Sequence, residues 1–258
     1  MNLHKLILTE NACYKAGKTI TPKGIMVHST GANNPNLKRY VGPNDGLLGE
    51  NQYGNHWNTY HPGGREVCVH AFIGKLADGT IATYQTLPWN HRGWHADGSA
   101  NNTHIGFEIC EDGLTDYSYF QKVYREAVEL CAYLCKEYGL TEQNIICHSE
   151  GFKQGIASNH GDVMHWFPKH GKSMDTFRAE VKALLAVGSD DVSKETKENV
   201  AVYPEKLTNG YYRVRKAWKD SKSQVGAYRI LSNAKAGADK NPGTYVFTND
   251  GVAIYPVD

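Results

Sequence analysis

Three short apolar runs in this chain each carry one titratable residue where a buried strand ordinarily has none. Gly24-Ile25-Met26-Val27 runs into His28. Ile105-Gly106-Phe107 runs into Glu108 and continues as Ile109-Cys110. Asn144-Ile145-Ile146-Cys147 runs into His148. Runs of this length, bounded by turn-forming residues, read as buried strands. A charge or a lone imidazole placed there costs several kcal/mol unless it is paired, shifted in protonation or bound to a metal. Two histidines at strand ends and a carboxylate inside a third strand point to one shared site, and metal-assisted chemistry explains the set most directly.

The rest of the first 187 residues alternates strands with helices. Phe120, Val123, Tyr124, Ala127, Leu130, Cys131, Leu134 and Tyr138 recur at helical spacing, with Asp116 to cap the start and Gly139 to end it. A second helix is expected from Ser173 to Val187 and a short one over 36–41. Strands are expected at 24–28, 67–73, 80–84, 104–110 and 144–148. The fold class is α/β: a central mixed sheet flanked by helices, followed by a small C-terminal α+β domain. Ligands gather at strand ends in such sheets, which is where His28 and His148 fall.

The chain divides at a polar, charged stretch without apolar period, Gly188-Ser189-Asp190-Asp191 onward. The expected organisation is a catalytic domain over 1–187, a linker over 188–202 and a second domain over 203–258. All 12 histidines and all 6 cysteines precede the linker. The cysteines show no CxxC pair, and they read as reduced, small apolar residues. The tail carries nine Lys and Arg against five Asp and Glu. It reads as a strand at 211–215, a helix at 232–240 and a hairpin at 243–255 about Asn249-Asp250-Gly251. About 56 residues make a marginal core alone, which leaves room for pairing with a second copy.

The net charge of +1 gives no general case for a nucleic acid or membrane partner, and no apolar run is long enough to span a bilayer. Residues 1–10 lack the apolar core of a signal peptide. Synthesis in a cytoplasm without a signal peptide is therefore expected.

A catalytic zinc takes three protein ligands and keeps one open position. His28 and His148 are the best two. The loop after His148 offers His160, Asp162 and His165, and spacing does not choose among them. The segment Pro88-Trp89-Asn90-His91-Arg92-Gly93-Trp94-His95 is polar and aromatic. Trp89, Trp94 and His95 there suit either a substrate wall, on which sugar rings stack, or packing over the sheet edge.

His28-Ser29-Thr30 after an apolar strand, Ile105-Gly106-Phe107-Glu108-Ile109, and His148 followed by His160-Gly161-Asp162 together resemble the zinc-dependent N-acetylmuramoyl-L-alanine amidases of the type 2 family. That family includes peptidoglycan recognition proteins and phage lysins of the T7 lysozyme type. The resemblance covers about residues 20–187. It implies His28, His148 and Asp162 as zinc ligands and Glu108 as general base. It implies cleavage of the amide between N-acetylmuramic acid and L-alanine in bacterial peptidoglycan. Two departures stand out: His160 occupies the position of a lysine that steadies the oxyanion in many members, and Val163-Met164 replaces a frequent Pro-Gly. The tail, through Ser223-Gln224-Val225-Gly226-Ala227-Tyr228 and Ser232-Asn233-Ala234-Lys235, resembles wall-binding segments of clostridial phage lysins and, more weakly, SPOR-type glycan-binding domains. A wall glycan or anionic wall polymer is the partner this implies, and action at the bacterial wall after release from the host cytoplasm is the setting. The alternatives from other classes are a recognition module that binds peptidoglycan without cutting it and a zinc peptidase cutting within the stem peptide.

Overall fold

A computed structural model describes residues 1–187, 203–204, 206–249 and 251–255. The linker expected at 188–202 lies outside the described residues. The chain splits into two compact units, Met1–Val192 and Ser193–Asp258.

The first unit is built on a six-stranded sheet. Its strands are β1 (Leu3–Lys5), β2 (Gly24–Asn33), β3 (Ala71–Lys75), β4 (Ile81–Gln85), β5 (His104–Glu111) and β6 (Ile145–Cys147), in the spatial order β1-β4-β3-β5-β2-β6. All neighbours run parallel except β3 and β4, which form an antiparallel hairpin, so the sheet is mixed as expected. A short helix, α1 (Ala12–Lys15), follows the edge strand. The long helix α2 (Tyr117–Tyr138) starts at Asp116, whose side chain accepts from the Tyr119 N–H. It stops at Gly139 in the left-handed conformation, φ 63°. The short helix α3 (His148–Lys153) follows β6 directly, and α4 (Met174–Val187) closes the unit.

Strand alternation sorts the sheet into two faces. Ile25 and Val27 of β2, Ile105, Phe107 and Ile109 of β5, and Ile145 and Cys147 of β6 share one buried cluster with the apolar stripe of α2 and with Phe177 and Val181 of α4. The residues between them, Met26 and His28, Gly106 and Glu108, therefore point to the opposite face. That face carries the chemistry. The β2–β5 register sets His28 directly opposite Glu108, while Val27 opposite Cys147 brings His148 alongside.

Three sequence expectations shift. The strand expected at 67–73 begins only at Ala71: Cys68, Val69 and His70 are fully buried, as in a strand, but Cys68 bridges Trp94 instead of a sheet neighbour. The helix expected over 36–41 is one 3-10 turn, Leu37–Arg39. Finally, His148 opens a helix instead of ending a strand. All six cysteines are free and buried.

The second unit is a four-stranded antiparallel sheet, β10-β9-β7-β8, formed by β7 (Tyr212–Arg215), β8 (Gly226–Tyr228), β9 (Tyr245–Phe247) and β10 (Ala253–Tyr255). Helix α5 (Leu231–Asp239) packs Leu231, Ala234 and Ala238 against Tyr212, Val214 and Val246. Strand β8 has no counterpart in the sequence reading. Asp250 of the expected β9–β10 turn lies outside the described residues.

Gly24, at the start of β2, admits no side chain. A Cβ there would lie 2.6 Å from the His104 ring and 2.8 Å from the Asn144 carbonyl oxygen. Overpacking against backbone at a central strand costs about 1–3 kcal/mol. Gly24→Ala should lower stability to denaturant by that amount. A change below about 0.5 kcal/mol, the range of a neutral surface substitution, would show that the strand start yields.

Candidate metal centre

His28 Nδ1, His148 Nδ1 and Asp162 Oδ2 converge on one point. His28 Nδ1 lies 3.1 Å from both of the others, and His148 Nδ1 lies 3.7 Å from Asp162 Oδ2. Ligand atoms about 2.0–2.1 Å from a tetrahedral ion lie about 3.3–3.4 Å apart, so these edges match one face of such a tetrahedron. Two imidazole nitrogens and a carboxylate oxygen facing one another also form a set of electron pairs that a cation satisfies and that no mutual hydrogen-bond scheme fully does. The donor set and its spacing fit a tetrahedral divalent metal.

Each of the three candidate donors is fixed by a different part of the fold. His28 sits in the middle of β2 with its side chain about 2% exposed. His148 is held by the start of α3: Glu150 accepts from the Cys147 N–H, and Arg178 of α4 donates to both Glu150 oxygens and to the Ile145 carbonyl. Asp162 precedes Val163, Trp166 and Phe167, all with 0% exposure, which dock between α2 and α4. The Trp166 ring lies 5.3 Å from Phe120, and Phe167 lies 5.3 Å from Tyr124. A buried aromatic anchor of this kind fixes the loop's exit. A second tie runs from His165 Nε2 to Glu111 Oε1, 2.8 Å away, and Glu111 also accepts from the Gly31 N–H. Of the three loop candidates, then, Asp162 joins the two histidines and His165 turns to Glu111.

Around the triad the outer contacts are continuous. His28 Nε2 meets His95 Nδ1 at 2.9 Å, and His95 Nε2 meets the His104 carbonyl at 3.2 Å. His148 Nε2 lies 3.3 Å from Ser158 Oγ, which lies 3.0 Å from His160 Nδ1. The His160 ring stands 4.6 Å from that of His148, at the exposed rim. Burial first, then the proximity of His28, pushes the His148 imidazole down to about 4. Asp162 is held below the usual carboxylate range: burial raises it, but the neighbouring His28 and, after it, His148 outweigh that.

Glu108 is half-buried beside His28 across the ladder, and its Oε2 is buried without a hydrogen-bond partner. Burial, then the charges of Asp162 and Glu111, hold its carboxyl well above the ordinary range. An orphaned buried carboxylate oxygen is expensive in a resting fold and is common where a reacting group supplies the partner.

Of the two readings left open for the aromatic segment, packing describes Trp89 and Trp94. Trp89 is 9% exposed and packs in the cluster beneath α2, its ring 6.5 Å from Tyr133, on the far side of the sheet from the triad. Trp94 packs beside Leu8, Cys13, Cys68 and Leu87, with the Arg92 guanidinium 4.7 Å over its ring. His95 stands behind His28. Sequence reasoning missed the roles of His95, Ser158 and the Glu111–His165 pair. One signal for the first was present: a glycine inside a strand, here Gly106, marks a close approach by another group.

A profile of the N-acetylmuramoyl-L-alanine amidase family matches residues 18–165, more than half of the chain, and the chain belongs to that family. The N-acetylmuramoyl-L-alanine amidase XlyA of Bacillus subtilis (strain 168) is 40% identical over 97 residues, 33% of this chain and 32% of that protein. A probable N-acetylmuramoyl-L-alanine amidase of Bacillus licheniformis is 33% identical over 95 residues, 37% of this chain and 24% of that one. The chain thus spans about a third or less of the length of these relatives. Among solved structures, the catalytic domain of XlyA superposes with a TM-score of 0.50 at 23% identity, covering 70% of this chain and 99% of that domain. A mutant form of PlyL gives 0.50 at 20% identity, over 71% and 99%. These likenesses establish the fold of the first unit. Among the described residues no helix is long and apolar enough to cross a membrane.

Behind the triad, His70 is wholly buried: the Gly106 N–H donates to its Nδ1 at 3.0 Å, and its Nε2 donates to the His91 carbonyl at 2.7 Å. Burial pushes its pKa down from 6.5 to about 4. The folded ring stays neutral where the unfolded ring takes up a proton, so unfolding absorbs protons between those values. Stability should fall as pH drops from about 6.5 toward about 4, by up to about 3 kcal/mol from this residue. Denaturant unfolding at pH 7 and pH 4.5, compared between the wild type and His70→Asn, checks this. An equal pH dependence in the two proteins would remove His70 as the cause.

Proposed function

We propose that this protein hydrolyses the amide bond between N-acetylmuramic acid and L-alanine in bacterial peptidoglycan, with zinc held by His28, His148 and Asp162. The observation that carries the reading is the tetrahedral-edge triangle of those three donors beside a carboxylate, Glu108, whose buried oxygen has no partner. Membership of the amidase family supports the same bond and the same metal.

A zinc ion held by His28, His148 and Asp162 would supply Lewis acidity for the scissile carbonyl and the attacking water. The chain's own residues do the rest. Glu108 takes the proton of the attacking water and returns it to the departing L-alanine nitrogen. A carboxyl held above its usual range by burial is suited to both steps, since it is more basic than an exposed one and gives the proton back at neutral pH. His160 takes the oxyanion role that a lysine has in many relatives. Its Nδ1 is tied to Ser158 Oγ at 3.0 Å, and a proton on its Nε2 would serve the oxyanion. The resemblance to phage lysins supports an endolysin. The second unit, basic and tyrosine-bearing, is proposed to hold the enzyme on a wall glycan or an anionic wall polymer.

Digestion of purified peptidoglycan, followed by mass spectrometry with and without a chelator, tests the reaction. Free stem peptides with new N-terminal alanine, lost on chelation and restored by zinc, are expected. Cleavage within the stem peptide would make the enzyme a peptidase, and binding without cleavage would make it a recognition module. Glu108→Gln should retain zinc and lose about 100-fold or more in turnover. Asp162→Ala should weaken zinc binding by at least about 100-fold, beyond the usual effect of losing an outer-shell partner. Removing residues 189–258 should preserve turnover on soluble muropeptide and weaken sedimentation with walls; unchanged sedimentation would remove the tail as an anchor.

A further inference from the structure

We propose that His95 is a positioning residue that sets the tautomer and aim of His28, and that Gly106 is a glycine so that His95 fits. The inference rests on the metal reading of the triad and deepens it.

The series of hydrogen bonds starts at a backbone oxygen. The His104 carbonyl only accepts, so the His95 Nε2 that meets it at 3.2 Å carries the proton. A neutral ring protonated at Nε2 has a lone pair at Nδ1. That lone pair lies 2.9 Å from His28 Nε2, which must donate to it. His28 is then protonated at Nε2 and bare at Nδ1, and Nδ1 is the atom aimed at His148 and Asp162. One carbonyl thus fixes the protonation of two rings in series, and the electron pair ends facing the metal position. With the opposite tautomer at His95, His28 would turn an N–H toward the cation.

The fold is built to keep His95 there. Buried Asn101 accepts from both the His95 and the Ala96 N–H groups at 2.9 Å, which fixes the backbone of the loop. The ring occupies the space where Gly106 lacks a side chain: a Cβ at Gly106 would lie 2.4 Å from His95 Nδ1. A Cβ at Gly93 would lie 3.1 Å from His95 Cδ2 and 2.9 Å from the Cys68 carbonyl oxygen. The two rings meet edge to face, 5.1 Å apart at 77°. Ligand histidines whose other nitrogen is tied in this way lose roughly 10- to 100-fold in metal affinity when the tie is removed.

The test uses the full chain. Zinc affinity is measured by chelator competition for the wild type, His95→Leu, His95→Asn and Gly106→Ala. His95→Leu should bind zinc about 10- to 100-fold more weakly. His95→Asn, whose side-chain oxygen can still accept from His28, should recover most of that loss. Gly106→Ala should resemble His95→Leu, although the imidazole remains. Thermal unfolding of the metal-free proteins should not separate His95→Leu from His95→Asn. Long-range proton–nitrogen spectra of the metal-free wild type should show both His28 and His95 protonated at Nε2. Wild-type zinc affinity in His95→Leu, equal loss in His95→Leu and His95→Asn, or an Nδ1-protonated ring at either residue would overturn the proposal. Failure of the wild type to take up zinc would instead overturn the metal reading, and this inference with it.

Discussion

The parallel ladder between β2 and β5 decides where everything else in the site stands. Its register puts His28 opposite Glu108, and the neighbouring β2–β6 register puts Cys147 opposite Val27, so His148 arrives one residue later on the same side. A slip of one residue would turn His28 and Glu108 into the cluster under α2 and Val27 and Phe107 out of it. The apolar face therefore does more than stabilise the sheet. By burying Ile25, Val27, Ile105, Phe107 and Ile109 against α2 and α4, it fixes the register that brings His28 and Glu108 together.

The third candidate donor has no strand to hold it, and the fold solves this differently. Asp162 leads into Val163, Trp166 and Phe167, which are as buried as any strand residue. The loop's position is thus set by the same core that sets the ladder. Glu111 adds a polar tie to His165 from the end of β5. The two elements that supply ligands and carboxylate also restrain the loop, so displacement of one is resisted by the others.

The sheet, its two long helices and three polar residues of the site were legible because they break a strong pattern: a titratable residue in a four-residue apolar run has few explanations. Asp162 was not legible from spacing, since His160, Asp162 and His165 are equally available along the chain; resemblance to a family singled it out. For the Trp89–His95 segment the sequence left a substrate wall and packing both open, because the contact that inserts Trp89 against α2 is long-range and local sequence does not encode it. His95 acts through a residue 67 positions away. Cys68-Val69-His70 resembles a strand in composition because it is buried, but Cys68 pairs with the Trp94 loop and only His70 reaches the sheet, donating to the Gly106 carbonyl. In each case the partner was not readable.

Three donors that turn electron pairs toward one point repel one another until a cation arrives, so something else must hold them there. Here the restraints are independent of the metal: a sheet register and His95 for His28, the Glu150–Arg178 pair for His148, and an aromatic anchor for Asp162. Small zinc domains order their ligands with the binding energy of the ion and unfold without it. This chain holds its three donors with its apolar core and the Glu150–Arg178 pair. On the proposed reading, the metal's affinity is then not diminished by the cost of ordering the chain, and the geometry of the open coordination position is set before substrate arrives. That is the arrangement a catalytic site needs, where an ångström of slack in the supporting contacts is enough to lose most of the rate.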